Sequence, residues 1–122
     1  MHENRNEPLV VAHRGFAFGT DFERNTADAF EYALDMGADA IECDLRITVD
    51  GEIIVHHDPL IRSNFKIKRI STSTYDQLLT IKQNNEALPT LEMLLSIVND
   101  KVPLFLQIKD SSNVRPILER LQ

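Results

Sequence analysis

Apolar residues fall in short blocks along this chain, and two periods alternate between the blocks. Leu9 to Ala12 is a continuous apolar run ended by His13-Arg14-Gly15, the pattern of a strand buried on both faces. Asn25 or Thr26 then caps a helix, with Asp28 in its first turn. Ala29, Phe30, Ala33 and Leu34 give that helix one apolar face, and Gly37 suits its stop. Ala38 to Leu45 reads as a second buried strand, completing a strand–helix–strand unit. Arg46 to Val49 and Glu52 to Val55 flank Asp50-Gly51, a hairpin signal, and Pro59 ends the second arm. The pattern leaves open whether this arm joins the sheet or stands off from it.

Residues 60–73 are polar and basic and read as a loop. Thr74 with Gln77 forms a capping box for a short helix over Tyr75 to Thr80, and a polar loop follows over 82–87. Thr90 caps a helix whose buried face is Leu91, Leu94, Leu95 and Val98, ending at Asn99-Asp100. Val102 to Ile108 is a further strand. A last helix from Val114 or Arg115 tolerates Pro116 in its first turn and carries Ile117, Leu118 and Leu121 on one side. Residues 1–7 read as a loose polar lead, and 16–24 as a mixed segment turning at Gly19.

Strands alternating with helices predict a mostly parallel α/β architecture. Chemistry in such folds gathers at the carboxyl ends of the strands, where this chain places His13-Arg14, Glu42 with Asp44, His57-Asp58, and Gln107 with Lys109. A strand repeats its faces every second residue, so Glu42 and Asp44 share a face while Cys43 points the other way, into the core. Carboxylates near one strand end and histidines at the end of the next could hold a divalent cation and move protons around it.

Composition narrows the classes. A length of 122 residues suits one domain, and 43% hydrophobic content can supply a core. No run of eighteen apolar residues and no basic–apolar leader is present, so neither a membrane-spanning helix nor a secretion signal is expected. With a single cysteine, the expectation is a cytoplasmic chain without a disulfide framework. A net charge of -6 argues against a general nucleic-acid binder. Arg62, Lys66, Lys68 and Arg69 form the one basic concentration: either a solvated surface, or a face for an anionic substrate or lipid headgroup.

VAHRG at 11–15, NTADAFEYALDMGADAIECDLRITVDGEIIVHHDP at 25–59, LPTLEMLL at 88–95 and FLQIK at 105–109 together resemble the glycerophosphodiester phosphodiesterase family. HRG, then IECDLRITVDG, then HHDP, in that order and spacing, is specific, and the resemblance spans nearly the whole chain. It implies a (β/α)8 barrel, present here as an incomplete domain over 1–122 with about four strands. It also implies metal-assisted hydrolysis of a small glycerophosphodiester to glycerol 3-phosphate and an alcohol. The substrate's own glycerol hydroxyl would attack first, and water would then open the cyclic phosphate.

Carried over residue by residue, His13 and His57 would be the acid–base pair. Arg14 and Lys109 would bind phosphate, and Asp58 would steady His57. Glu42, Asp44 and Gln107 would hold a divalent cation, magnesium, calcium or manganese. Three features depart from the family pattern. Arg24 stands where a glutamate usually precedes Asn-Thr, with Glu23 one position earlier as a substitute. Gln107 replaces a metal-binding glutamate. The chain has less than half of the ~250 residues of a full barrel, so it is expected to be either a fragment of a longer protein or a protomer whose sheet a homodimer or a partner chain would complete. Two other readings are a degenerate domain with a structural or weak phosphate-binding role, and a phospholipase-D-like lyase acting on phospholipids.

Overall fold

The computed structural model describes residues 8–15, 23–63, 65–82, 87–109 and 114–121. The expected loose lead at 1–7, the Gly19 turn and most of the loop after residue 82 lie outside these residues. The elements run β1 (Val11–His13), α1 (Ala27–Asp35), β2 (Ala40–Ile47), β3 (Ile53–Val55), β4 (Leu60–Ser63), β5 (Lys66–Arg69), a 3-10 turn (Ile70–Thr72), α2 (Tyr75–Lys82), α3 (Leu91–Val98), β6 (Leu104–Ile108) and α4 (Val114–Arg120).

β2 is the centre of the sheet. β1 and β6 lie parallel to it, with His13 opposite Glu42, and Asp44 opposite Gln107. β3 runs back antiparallel over Leu45 to Ile47, so the second hairpin arm joins the sheet. β1 pairs with the first part of β2 and β3 with the last, while β6 pairs from Ile41 to Leu45. This four-stranded unit is part of a (β/α)8 barrel wall, with three parallel strands and one return strand.

Alternation along β2 sorts its side chains. Ile41, Cys43 and Leu45 join a core with Phe30 and Ala33 of α1, Leu91, Leu94 and Val98 of α3, and Ile117 of α4. Glu42 and Asp44 take the opposite face, which would be the barrel interior. β3 is buried throughout because it serves two cores. Ile53 and Val55 face the first, and Ile54 joins a second with Ile61, Ile70, Leu78, Ile81 and Leu88.

Local chemistry explains the helix boundaries. Thr26 accepts from the Ala29 N–H at 3.3 Å, and Thr90 from the Met93 N–H at 3.2 Å. The capping box forms in both directions: Thr74 N–H to Gln77 Oε1 at 2.9 Å, and Gln77 N–H to Thr74 Oγ1 at 3.1 Å. Asn99, at φ +46, closes α3 in the left-handed region.

Four expectations are corrected. The Asp50-Gly51 connection is not a two-residue turn: Gly51 N–H bonds the Thr48 carbonyl, Thr48 N–H bonds the Glu52 carbonyl, and Gly51 sits at φ +86. That is a type I turn closed by a left-handed residue, which shortens both arms. Residues 60–73 are not a loop but a second two-stranded sheet, β4 with β5, held by buried Ile61 and Ile70. α2 continues to Lys82. Leu95 remains exposed, because α3 turns only Leu91, Leu94 and Val98 inward.

Candidate active site

The chain leaves β1 sharply. Arg14 takes φ +58 and Gly15 φ +79. A Cβ on Gly15 would lie 2.8 Å from the carbonyl carbon of Ala29, so glycine alone lets this turn rest on α1. The Arg14 N–H donates to the Glu42 carbonyl at 2.6 Å and to Glu42 Oε1 at 3.3 Å. The arginine side chain reaches over β2, and its Nε stands 2.9 Å from Asp44 Oδ2.

Asp44 is the hub. It is fully buried, a location that costs a lone carboxylate several kcal/mol unless it is compensated. Arg14 supplies one counter-charge and Lys109, with Nζ 3.4 Å from Asp44 Oδ1, a second. Asn25 donates its amide to Oδ2 at 3.1 Å and accepts the Asp44 N–H at 3.5 Å. Asn25 itself is buried at φ +60, with its N–H on the Arg14 carbonyl at 2.8 Å. Asp44 Oδ1 accepts no hydrogen bond among the described residues.

Neighbouring strands bring the histidines. Glu42 Oε1 lies 3.7 Å from Nε2 of the half-exposed His13. β3 delivers His56 to the end of β2, where the His56 N–H donates to the Asp44 carbonyl at 3.0 Å. His57 follows, its carbonyl gripped by Arg46 through Nε at 2.9 Å and Nη2 at 2.7 Å. His57 Nδ1 is 2.8 Å from Asp58 Oδ1. That hydrogen bond, then the imidazole charges nearby, holds the Asp58 carboxyl below its usual range.

Two further shifts follow burial. His56 is pushed down to about 4, chiefly by desolvation and then by the charge of Lys82. Burial, then Glu42 and Asp44, drives the Cys43 thiol up, so Cys43 is inert core packing.

The oxygen donors on this face suit a hard cation. Glu42 and Asp44 offer carboxylates, and Asp44 Oδ1 is buried, with the Lys109 ammonium 3.4 Å away and no hydrogen bond among the described residues. Gln107, exposed on β6, stands opposite Asp44 in the register. Among the described residues no three His, Cys, Asp or Glu side chains gather as a metal cluster.

Not every candidate converges. Glu23 is 71% exposed and its carboxylate pairs with Lys82 at 3.2 Å. Arg24 is exposed beside it. Sequence reasoning missed Asn25, weighed only as a cap, and Arg46, read only as a strand residue. A signal for Asn25 existed: asparagine tolerates the left-handed conformation directly before a helix cap.

The sequence profile of the Glycerophosphoryl diester phosphodiesterase family matches residues 13–120. The chain belongs to this family. It is 34% identical over 119 residues to a probable glycerophosphodiester phosphodiesterase 1 of Mycobacterium tuberculosis, covering 84% of this chain and 43% of that protein. A glycerophosphodiester phosphodiesterase of Bacillus altitudinis is 30% identical over 114 residues, covering 86% of this chain and 46% of its own length. The crystal structure of the Thermotoga maritima glycerophosphodiester phosphodiesterase superposes with a TM-score of 0.82 at 27% identity, over 95% of this chain and 50% of that one. The chain thus spans about half the length of these relatives, and the family match ends within α4.

Proposed function

We propose that this chain carries the catalytic face of a glycerophosphodiester phosphodiesterase, acting on a small glycerophosphodiester to give glycerol 3-phosphate and an alcohol. The supporting observation is Asp44: a buried carboxylate on the same strand face as Glu42, met by Arg14, Lys109 and Asn25, with its carbonyl bonded by the His56 N–H beside His57.

Glu42, Asp44 and Gln107 would hold a divalent cation, magnesium, calcium or manganese. When bound, it would neutralise phosphate charge as a Lewis acid. Arg14 and Lys109 add directional and point-charge contacts to the phosphate oxygens. One histidine takes the proton of the substrate's glycerol hydroxyl as that oxygen attacks phosphorus. The other gives a proton to the departing alcohol oxygen, leaving a cyclic phosphate. Water then opens the ring with the roles exchanged: its proton passes to the histidine that gave one up, while the histidine protonated in the first step protonates the ring oxygen that is released. Asp58 engages Nδ1 of His57, which leaves Nε2 as the nitrogen that exchanges protons.

Val11 and Phe105, on the same sheet face as the site, are about half exposed. Further residues of a longer chain, a second copy or a partner chain would cover them and supply the rest of the pocket. The deciding experiment measures molar mass in solution and glycerophosphocholine hydrolysis on one sample, with and without divalent cation. Cation-dependent turnover lost in Asp44→Asn supports the proposal. A folded protein that binds phosphate without turnover would instead indicate a degenerate domain. Preference for lysophospholipid over glycerophosphocholine would indicate phospholipase-D-like chemistry.

A further inference from the structure

The β4–β5 hairpin stands apart from the catalytic face in both charge and exposure. From Leu60 to Tyr75 the sequence holds Arg62, Lys66, Lys68 and Arg69 and no acidic residue, within a chain of net charge -6. Ile61 and Ile70 bury the base of the hairpin in the second core, against Leu78 and Ile81 of α2. Exposure rises toward the tip, where Phe65 is fully exposed and Ile67 is 58% exposed. A phenylalanine held wholly in water adds nothing to the packing of the described residues, since burial is what makes such a side chain stabilising.

The register distributes the cations around that apolar tip. Ile61 pairs with Lys68 and Ser63 with Lys66, so both lysines lie on one face; Leu60 pairs with Arg69 and Arg62 with Ile67, so both arginines lie on the other. An aromatic and an aliphatic side chain at the apex, with basic groups on both flanks, is the arrangement that enters an anionic lipid interface. The excess of acidic groups elsewhere would repel such a surface and leave the hairpin as the part that meets it.

We propose that the β4–β5 hairpin docks the protein on anionic bilayer surfaces, with Phe65 and Ile67 entering the headgroup region and Arg62, Lys66, Lys68 and Arg69 pairing with acidic lipid headgroups. The hairpin springs directly from His57-Asp58-Pro59, and Pro59 and Arg69 line a cavity of ≈ 170 Å³ together with Arg46, which holds the His57 carbonyl. Docking therefore sets the candidate active site beside the lipid surface. The proposal stands independently of catalysis, because it concerns binding alone.

The chain has no tryptophan, so Phe65→Trp places a single tryptophan at the tip. With vesicles of phosphatidylcholine containing phosphatidylglycerol, its emission shifts to the blue and is quenched by brominated lipid; pure phosphatidylcholine gives neither change. In co-sedimentation, Lys66→Gln with Lys68→Gln lowers vesicle affinity about 25-fold, at about fivefold per basic residue. Phe65→Ala lowers it about tenfold through lost apolar contact. All three positions are exposed or partly exposed, and unchanged circular dichroism verifies folding. No preference for phosphatidylglycerol, no blue shift, or full binding by Phe65→Ala would each overturn the proposal. Tighter binding to double-stranded RNA than to the acidic vesicles would overturn it in favour of a nucleic-acid face.

Discussion

Replacing Gly15 by alanine is expected to destabilise the fold by about 2 to 5 kcal/mol, from two separable terms. The first is backbone conformation: φ is +79, and an L-residue there costs about 1–2 kcal/mol. The second is space. The added Cβ would stand 2.8 Å from Ala29 C and Cβ and 2.9 Å from its carbonyl oxygen. These are atoms of a packed helix, not the end of a flexible side chain, and forcing them apart adds about 1–3 kcal/mol. Gly37 and Gly51 provide controls, since they have φ +82 and +86 with nothing within 4 Å of an added Cβ. Gly37→Ala and Gly51→Ala should show the conformational term alone. Urea unfolding of the three variants at constant m-value measures the difference. If Gly15→Ala costs within about half a kcal/mol of the other two, the overpacking term is absent. The turn carrying His13 and Arg14 is then not seated on α1 as described.

Three further outcomes are expected. The folded pKa of His56, about 4, lies below its ordinary 6.5, so between these values the unfolded chain binds the extra proton; stability should fall by about 2 kcal/mol from pH 7 to 5. Urea midpoints at the two pH values measure this, and His56→Gln should flatten the dependence. Asn25→Gly keeps the positive φ but removes the amide from Asp44, and should cost about 1–3 kcal/mol in urea unfolding. Gln107→Glu adds a carboxylate opposite Asp44 and should tighten divalent-cation binding by about tenfold or more in isothermal titration; no change would mean that Gln107 does not face the cation.

The sheet and most of the site were legible because their signals are local. Period-two alternation put Glu42 and Asp44 together and Cys43 behind them, and Thr26, Thr74 and Thr90 announced their helices through side-chain caps. Leu60 to Arg69 misled because cations on both faces mask a strand pattern. Among the described residues there only Ile61 is fully buried, so little apolar alternation survives. Asn25 and Arg46 could not be read from spacing. Their roles rest on bonds to Asp44 and to the His57 carbonyl, 19 and 11 residues away. Glu23, one position from where the family pattern places a glutamate, illustrates the same limit: its carboxylate pairs with Lys82.

The pairing of β2 with both an earlier and a much later strand has a kinetic consequence. Ile41 to Leu45 must wait for Leu104 to Ile108 before its second edge is filled. Contacts this distant in sequence close slowly, because the intervening segment loses its freedom before the pairing repays it. Until β6 arrives, Asp44 has Arg14 and Asn25 but not Lys109. Charge balance at the candidate active site therefore depends on the pairing of β6 with β2, and the Asp44–Lys109 pair forms only once that distant contact has closed.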